Sequence, residues 1–544
     1  MARIEPRKSS STRLNAHSIA IFPVLPREGI TAMASSDPIT NGGTSADAKP
    51  KKQILLNAFD MFTVGHLSFG QWRNPKDRSK DKRRDLTYWT DLAKLLDKGG
   101  FVSLFLADTF GPYDTYKGSA EPSVRTGAQW PMADPVIPVS AMAAVTKNLG
   151  FAITTSTSYE QPYVVAKRFA TLDHLTKGRF GWNIVTSWKE SASKAVSPGM
   201  FRPSGLCTSA DDASKVGLPL VEHDKRYENA DEYLRVLYKL WEGSWSDTAL
   251  REDAENGIYS DYSQIRTIHH HGKFNVDAPF LTDPSLQRTP VLFQAGTSPA
   301  GIKFGSTHAE GIFVAGLSPH VVAPRVKAIR EAAAAAGRDP ASVKVFAMIT
   351  PIVGKDEADA RRKHEEALSH VLVDGGLAQF SASTGIDVSR FDLDRELTEH
   401  DIAGHLQRVH SSLYNLRYRG DDVPKLTPRS LGTVAAIGGN GAMPVGTAAQ
   451  VANVFQEWVD IADVDGFNVG YVVTPGSFED AVEYLVPELR RRGLLPEAIP
   501  DDAPAPTFRE QIYGLGQKGL RSDHPGYKYK YDTYEDTVAK EEAA

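Results

Sequence analysis

Residues 149–187 read LGFAITTSTSYEQPYVVAKRFATLDHLTKGRFGWNIVTS. A short apolar run, Leu149–Thr155, is followed by an amphipathic stretch, Pro162–Leu175, with proline in its first turn, and then by a second apolar run, Arg179–Val185. Strand, helix, strand in that order is a βαβ unit laid on a parallel sheet, because parallel strands buried on both faces read as continuous apolar runs. The rhythm extends both ways from here. It predicts further strands at Ile54–Phe59, Phe101–Leu106, Pro290–Phe293, Gly311–Val314, Val343–Ile349 and Gly466–Val472. It predicts further helices at Leu86–Asp97, Pro135–Thr146, Asp231–Trp241, Pro299–Thr307, Pro319–Ala336, Glu357–Leu372 and Ala448–Ile461. Eight strands with intervening helices make an α/β fold of the TIM (β/α)8 barrel type. Long insertions follow strand 4 (187–222) and strand 7 (374–446), and another precedes strand 5 (243–288). Barrel sites form where strands hand over to such loops.

The 544 residues, 41% hydrophobic and 24% charged, supply ample material for a core. A net charge of -5 with acidic and basic residues interspersed gives no electrostatic footprint for nucleic acid. Apolar runs stay well short of the roughly 20 residues that cross a bilayer, so no membrane partner is expected. The lone Cys207 can form neither an intrachain disulfide nor a thiolate metal cage, which favours an intracellular, cytoplasmic setting. Residues 1–50 read as a disordered extension. Their Arg and Ser bias is shared with mitochondrial presequences, but Glu5, Glu28 and Asp37 dilute it. Residues 51–500 read as the barrel, and 501–544 as a tail that wraps the surface or joins subunit contacts.

Some motifs lack the context that would give them meaning. Gly514-Leu-Gly516-Gln-Lys-Gly519 has dinucleotide-fingerprint spacing, yet it follows no strand and opens no βαβ unit. His269-His270-His271 are adjacent on an extended segment and cannot converge on one ion, so no metal site is expected. No G-x-S-x-G elbow is present.

Chemistry gathers at the strand ends. Asp108 ends the second strand, where it displays a carboxylate or caps the loop. Thr154, Thr155, Ser156 and Thr157 end the third, either as hydroxyls for a polar heterocycle or as β-branched packing. Thr186 and Ser187 leave the fourth. His223 and Tyr227 lie four apart and share a face if the helix has begun; they suit phosphate binding, proton relay or capping. Gln294-Ala-Gly-Thr-Ser298 follows a strand and opens a helix, placing small residues, free N–H groups and a hydroxyl at a positive helix end. The residues alone thus point to a barrel that binds a phosphorylated small molecule.

Several blocks, in order over roughly residues 53–525, resemble the nitrilotriacetate and dibenzothiophene-sulfone monooxygenase group of the bacterial-luciferase-like superfamily. They are Leu56–Met61 with Val64-Gly-His66, Tyr159–Tyr163 through Leu172-Asp-His174, Gly178–Ser187, Arg226-Tyr227 with Ala230-Asp-Glu232, Leu240–Gly243 and Gln294-Ala-Gly296. The resemblance implies a homodimer or homotetramer and a two-component enzyme. Its cofactor would be reduced FMN (FMNH2) from a separate NAD(P)H-dependent flavin reductase, with O2 used through a peroxyflavin to oxidise a small substrate at sulfur or at carbon beside nitrogen or sulfur. It further implies Asp108 and Thr154 near the isoalloxazine, His223, Tyr227 and Ser298 around the rest of FMN, and His66 and His223 as proton-transferring groups. Thr63 stands where the alkane-oxidising branch has a cysteine, which argues against alkanes. A deazaflavin (F420) oxidoreductase of the same superfamily and a flavin-binding protein without catalysis are the competing readings.

Overall fold

The computed structural model describes residues 52–196, 221–398, 401, 427–500 and 502–542. The expected extension at 1–50, Cys207, most of the insertion after strand 4 and part of that after strand 7 lie outside the described residues.

Eight strands close a barrel: β1 (Leu55–Met61), β2 (Ser103–Ala107), β3 (Gly150–Ser156), β4 (Phe180–Val185), β5 (Val291–Gln294), β6 (Gly311–Val314), β7 (Lys344–Ile349) and β8 (Gly466–Val469). Each pairs in parallel with its neighbours in sequence, and β1 closes on β8 through Leu55 opposite Gly466 and Ala58 opposite Val469. Every expected strand is present. β8 stops three residues early because the Val472 and Val473 N–H groups turn away to bond the Ser477 hydroxyl.

Helices α1 (Leu86–Gly99), α2 (Val139–Ala144), α3 (Pro162–Leu175), α4 (His223–Tyr238), α5 (Pro299–His308), α6 (Pro319–Ala335), α7 (Glu357–Ser369) and α8 (Ala448–Ala462) follow the predicted order. α4 begins eight residues before the expected start, which puts His223 and Tyr227 on one helix. The helical stretch after β8 went unpredicted. It runs from Gly476 to Arg491 through a π-turn at Ala481–Leu485, with Pro487 just beyond, so its apolar period is interrupted.

The insertion before β5 forms two hairpins, Leu250–Asp253 with Ile258–Ser260 and Thr267–His270 with Val276–Pro279. In the second, His269 is exposed beside Asp277 (2.6 Å) while His270 is buried toward Glu232 (3.4 Å), the alternation any strand imposes. After α7, the Val373–Thr384 and Pro428–Ala435 helices share a small core with Tyr113 and Tyr116 of the loop after β2. Among the described residues no helix is long and apolar enough to cross a membrane.

Aromatic rings fill the barrel. Phe105 stacks between Phe59 (4.9 Å) and Phe313 (4.4 Å), and Phe293 lies 5.3 Å from Phe313. Phe508 meets Phe293 at 5.6 Å, entering from the end where the strands begin. Gly150 and Gly181 have no room for a side chain, since a Cβ on either would lie 2.9 Å from the Phe508 ring. The segment expected to wrap the surface therefore carries a plug, the Phe508–Tyr513 helix. The neighbouring Arg509 is fully buried and forks onto Glu310 at 2.7 and 3.0 Å, while its other donors take the carbonyls of Thr289, Pro290 and Lys518. The Gly514–Gly519 motif follows this helix as a turn, with no strand before it.

Candidate active site

Asp108 emerges from β2, and Thr154 lies on the neighbouring β3. Both face a cavity of about 220 Å³, whose walls include Met61, Val185, Ser187, Trp188 and Lys189. A second cavity of about 170 Å³ shares Asp108, Thr154 and Thr155 and is bounded by Asp134, Glu160 and Arg168. The Thr154 hydroxyl accepts from Asn183 Nδ2 (3.0 Å), while Asn183 Oδ1 is buried without a hydrogen-bond partner. Ser187, at φ 52°, turns the chain out of β4 and meets the Ser156 hydroxyl at 2.8 Å.

Burial pushes the Asp108 carboxyl up to about 7; a hydrogen bond from the Thr109 backbone opposes this, and the Asp134 and Glu160 carboxylates reinforce it. Folding thus favours the protonated acid, and stability falls as pH rises from about 4 to about 7, where the folded chain holds a proton that the unfolded chain has released. Asn at this position mimics the protonated form. Asp108→Asn is expected to match the wild type near pH 4 and to exceed it by roughly 1–3 kcal/mol above pH 7, read from urea midpoints across pH. Parallel midpoints at all pH values would refute the placement.

The other residues expected around a phosphate form a second group. Ser298 caps α5, its hydroxyl accepting from Gly301 N–H (3.1 Å) and lying 3.2 Å from His223 Nε2 in the first turn of α4. Two helix N-termini therefore converge, each with N–H groups and a positive dipole end. The Tyr227 ring packs edge-on to His223 (5.3 Å), and its hydroxyl lies beside Ser298, Thr186 and Gln294. A Cβ on Gly296 or Gly301 would approach that hydroxyl to 2.5 or 2.9 Å, so the cradle is kept open by glycine. Gln294 Oε1 is buried without a partner. Thr186 meets the cradle through Tyr227, and the next residue, Ser187, lines the cavity, so the two groups adjoin. An anion cradle beside a cavity walled by hydroxyls and one acid fits the FMN phosphate and ring system.

His66 belongs to neither group. It lies in a buried cluster where Asp60 Oδ1 accepts from Lys82 (2.5 Å) and Tyr471 (2.7 Å), with His66 Nδ1 4.0 Å away and unbonded. Burial, helped by the Lys82 cation, holds its imidazole well below the usual range, hence neutral at physiological pH. Thr63, nearby in sequence, is also buried, and its hydroxyl donates to the Pro131 carbonyl (2.8 Å).

Sequence reasoning missed Lys189 and the Asp60–Lys82 pair. Lys189 sits two residues beyond a strand exit already singled out, and that position was its only signal. Asp60 and Lys82 are joined only by the fold.

Barrel, cavity and cradle define an α/β-barrel enzyme with its site at the carboxyl ends of the strands. The profile described as luciferase-like monooxygenase matches residues 64–463, and the chain belongs to that family of flavin-dependent monooxygenases. It is 41% identical to dimethyl-sulfide monooxygenase of Hyphomicrobium sulfonivorans over 91% of this chain and 96% of that one. It is 40% identical to long-chain alkane monooxygenase of Geobacillus thermodenitrificans, covering 88% and 98%. A crystal structure of long-chain alkane monooxygenase superposes with a TM-score of 0.75, covering 88% of this chain and 100% of that one. A riboflavin lyase structure containing modified FMN and riboflavin shares 33% identity over 88% of this chain and 100% of that one, at TM-score 0.73. The nitrilotriacetate and dibenzothiophene-sulfone monooxygenases are related at moderate identity. The enzyme is an oxidoreductase that uses flavin to oxygenate small organic molecules.

Proposed function

We propose that this chain is the oxygenating component of a two-component system. It takes FMNH2 from a separate NAD(P)H-dependent flavin reductase and oxidises a small organic substrate at sulfur, or at carbon beside nitrogen or sulfur. The observation that carries this reading is the cradle of Ser298, His223 and Tyr227 adjoining the Asp108–Thr154 cavity. The relative that acts on dimethyl sulfide and the related structure containing modified FMN support it. Assembly as two or four copies in the cytoplasm belongs to the same reading.

Bound FMNH2 would supply the electrons with which O2 is divided between substrate and water. Ser298 and His223 hold the phosphate with the first-turn N–H groups of α4 and α5, while Tyr227 walls the cradle. Thr154 and Asp108 orient the ring system, and Asp108 keeps a proton on its carboxyl up to about pH 7. Met61, Val185 and Trp188 give the cavity an apolar wall. His66, unbonded at Nδ1, would serve in proton transfer from its neutral form, since burial and the Lys82 cation both disfavour its imidazolium.

Anaerobic titration with FMNH2 followed by admission of O2 tests the reading. The expected result is saturable binding of FMNH2, then substrate-dependent O2 consumption when a flavin reductase is supplied. Failure to bind FMNH2, or binding of reduced F420 in its place, would sink it.

A further inference from the structure

We infer that Lys189 makes the 220 Å³ cavity selective for substrates that carry a carboxylate or sulfonate near the atom to be oxidised. The inference rests on the proposed function and adds that the Lys189 and Trp188 side of this cavity receives the substrate beside the flavin ring held at Asp108 and Thr154.

Lys189 is 8% exposed, and its ammonium has one hydrogen bond among the described residues, to the Gly111 carbonyl at 3.1 Å. Its Nζ lies 4.1 Å from the centre of the Tyr113 ring and 5.7 Å from that of Trp188. No carboxylate among the described residues comes within 4 Å of it, although Asp114 and Asp108 act on it from farther away. A buried ammonium has lost its water and needs compensation, yet among the described residues it has one hydrogen-bond acceptor and the Tyr113 ring face for its three donors. Holding the following helix in place does not account for it, because Ser191 already ties that helix to the Pro112 carbonyl (2.8 Å).

The charges around Lys189 favour an incoming anion. In the helix that follows it, Glu190–Ala195, Glu190 is exposed and engaged with Lys194 (2.9 Å). From the loop after β2 come Asp114 and Asp108, and Asp108 holds its proton up to about pH 7. Burial draws the Lys189 ammonium down to about 7 against the pull of those two acids. Below that pH the cavity offers a cation and a carboxylic acid O–H, both donors to a carboxylate or sulfonate; above it both are lost. The remaining walls, Met61, Phe110, Tyr113, Val185 and Trp188, suit a short thioether chain.

Calorimetric titration of the protein with 3-(methylthio)propanoate and with the matched alcohol 3-(methylthio)propan-1-ol tests this. The acid is expected to bind roughly tenfold more tightly or better near pH 6.5, with the gap closing near pH 8.5. Lys189→Met should abolish the preference and Lys189→Arg restore part of it. Equal wild-type affinities for acid and alcohol, or no binding of either, overturn the inference without recourse to any variant. It is also overturned if Lys189→Met weakens FMN binding as much as it weakens the acid. Failure to bind FMNH2 alongside an intact acid preference would instead count against the proposed function.

Discussion

Arg509→Met is expected to destabilise the barrel by about 3–5 kcal/mol, the usual cost of removing one partner from a fully buried ion pair. Methionine can fill the space of the arginine stem. It cannot satisfy Glu310, which would be left as a buried charge, nor the carbonyls of Thr289, Pro290 and Lys518. Urea midpoints would show the loss directly. Adding Glu310→Gln should recover part of it, because the amide oxygen can still accept from the Leu292 N–H that Glu310 now serves at 3.1 Å. A single-variant loss within about 0.5 kcal/mol, the range of ordinary surface substitutions, would show that the floor is not held by this pair.

Gly296→Ala is expected to cost about ten- to hundredfold in FMNH2 affinity, roughly 1.4–2.8 kcal/mol. Its new Cβ would stand 2.5 Å from the Tyr227 hydroxyl and collide with Gln294 Nε2, so the cradle wall must move. Global stability should change little, because the neighbours Ala295 and Thr297 are exposed. Gly519→Ala, which meets nothing within 4 Å, is the matched control and should bind as the wild type does. Unaltered affinity in Gly296→Ala would remove the cradle from the flavin site.

The barrel was legible because its strands are buried on both faces. Phe151 to Thr155 and Val291 to Phe293 are apolar or small without interruption, and little else in a chain looks like that. The cradle was legible because Ser298 must cap a helix that opens with Pro299. Interrupted local signals were not legible: the π-turn at Ala481–Leu485 and Pro487 hide a helix from a 3.6-residue period. Nor were contacts between distant residues. Nothing local in Arg509 predicts Glu310, and nothing in Lys82 predicts Asp60. His66 was identifiable as a histidine of interest, but its neutrality depends on burial and on a lysine brought beside it, both produced only by folding.

The Phe508 plug also dictates an order of assembly. It leaves the ribosome after all eight strands, yet it completes a wall whose other members, Phe105, Phe293 and Phe313, were synthesised long before. Until it docks, a tube of aromatic rings stays open to water at one end. Nascent or truncated chains lacking residues beyond 507 would expose that sticky interior and self-associate rather than rest as smaller soluble barrels. A trimmed expression fragment ending at the last helix of the barrel wall would therefore be the wrong piece to make.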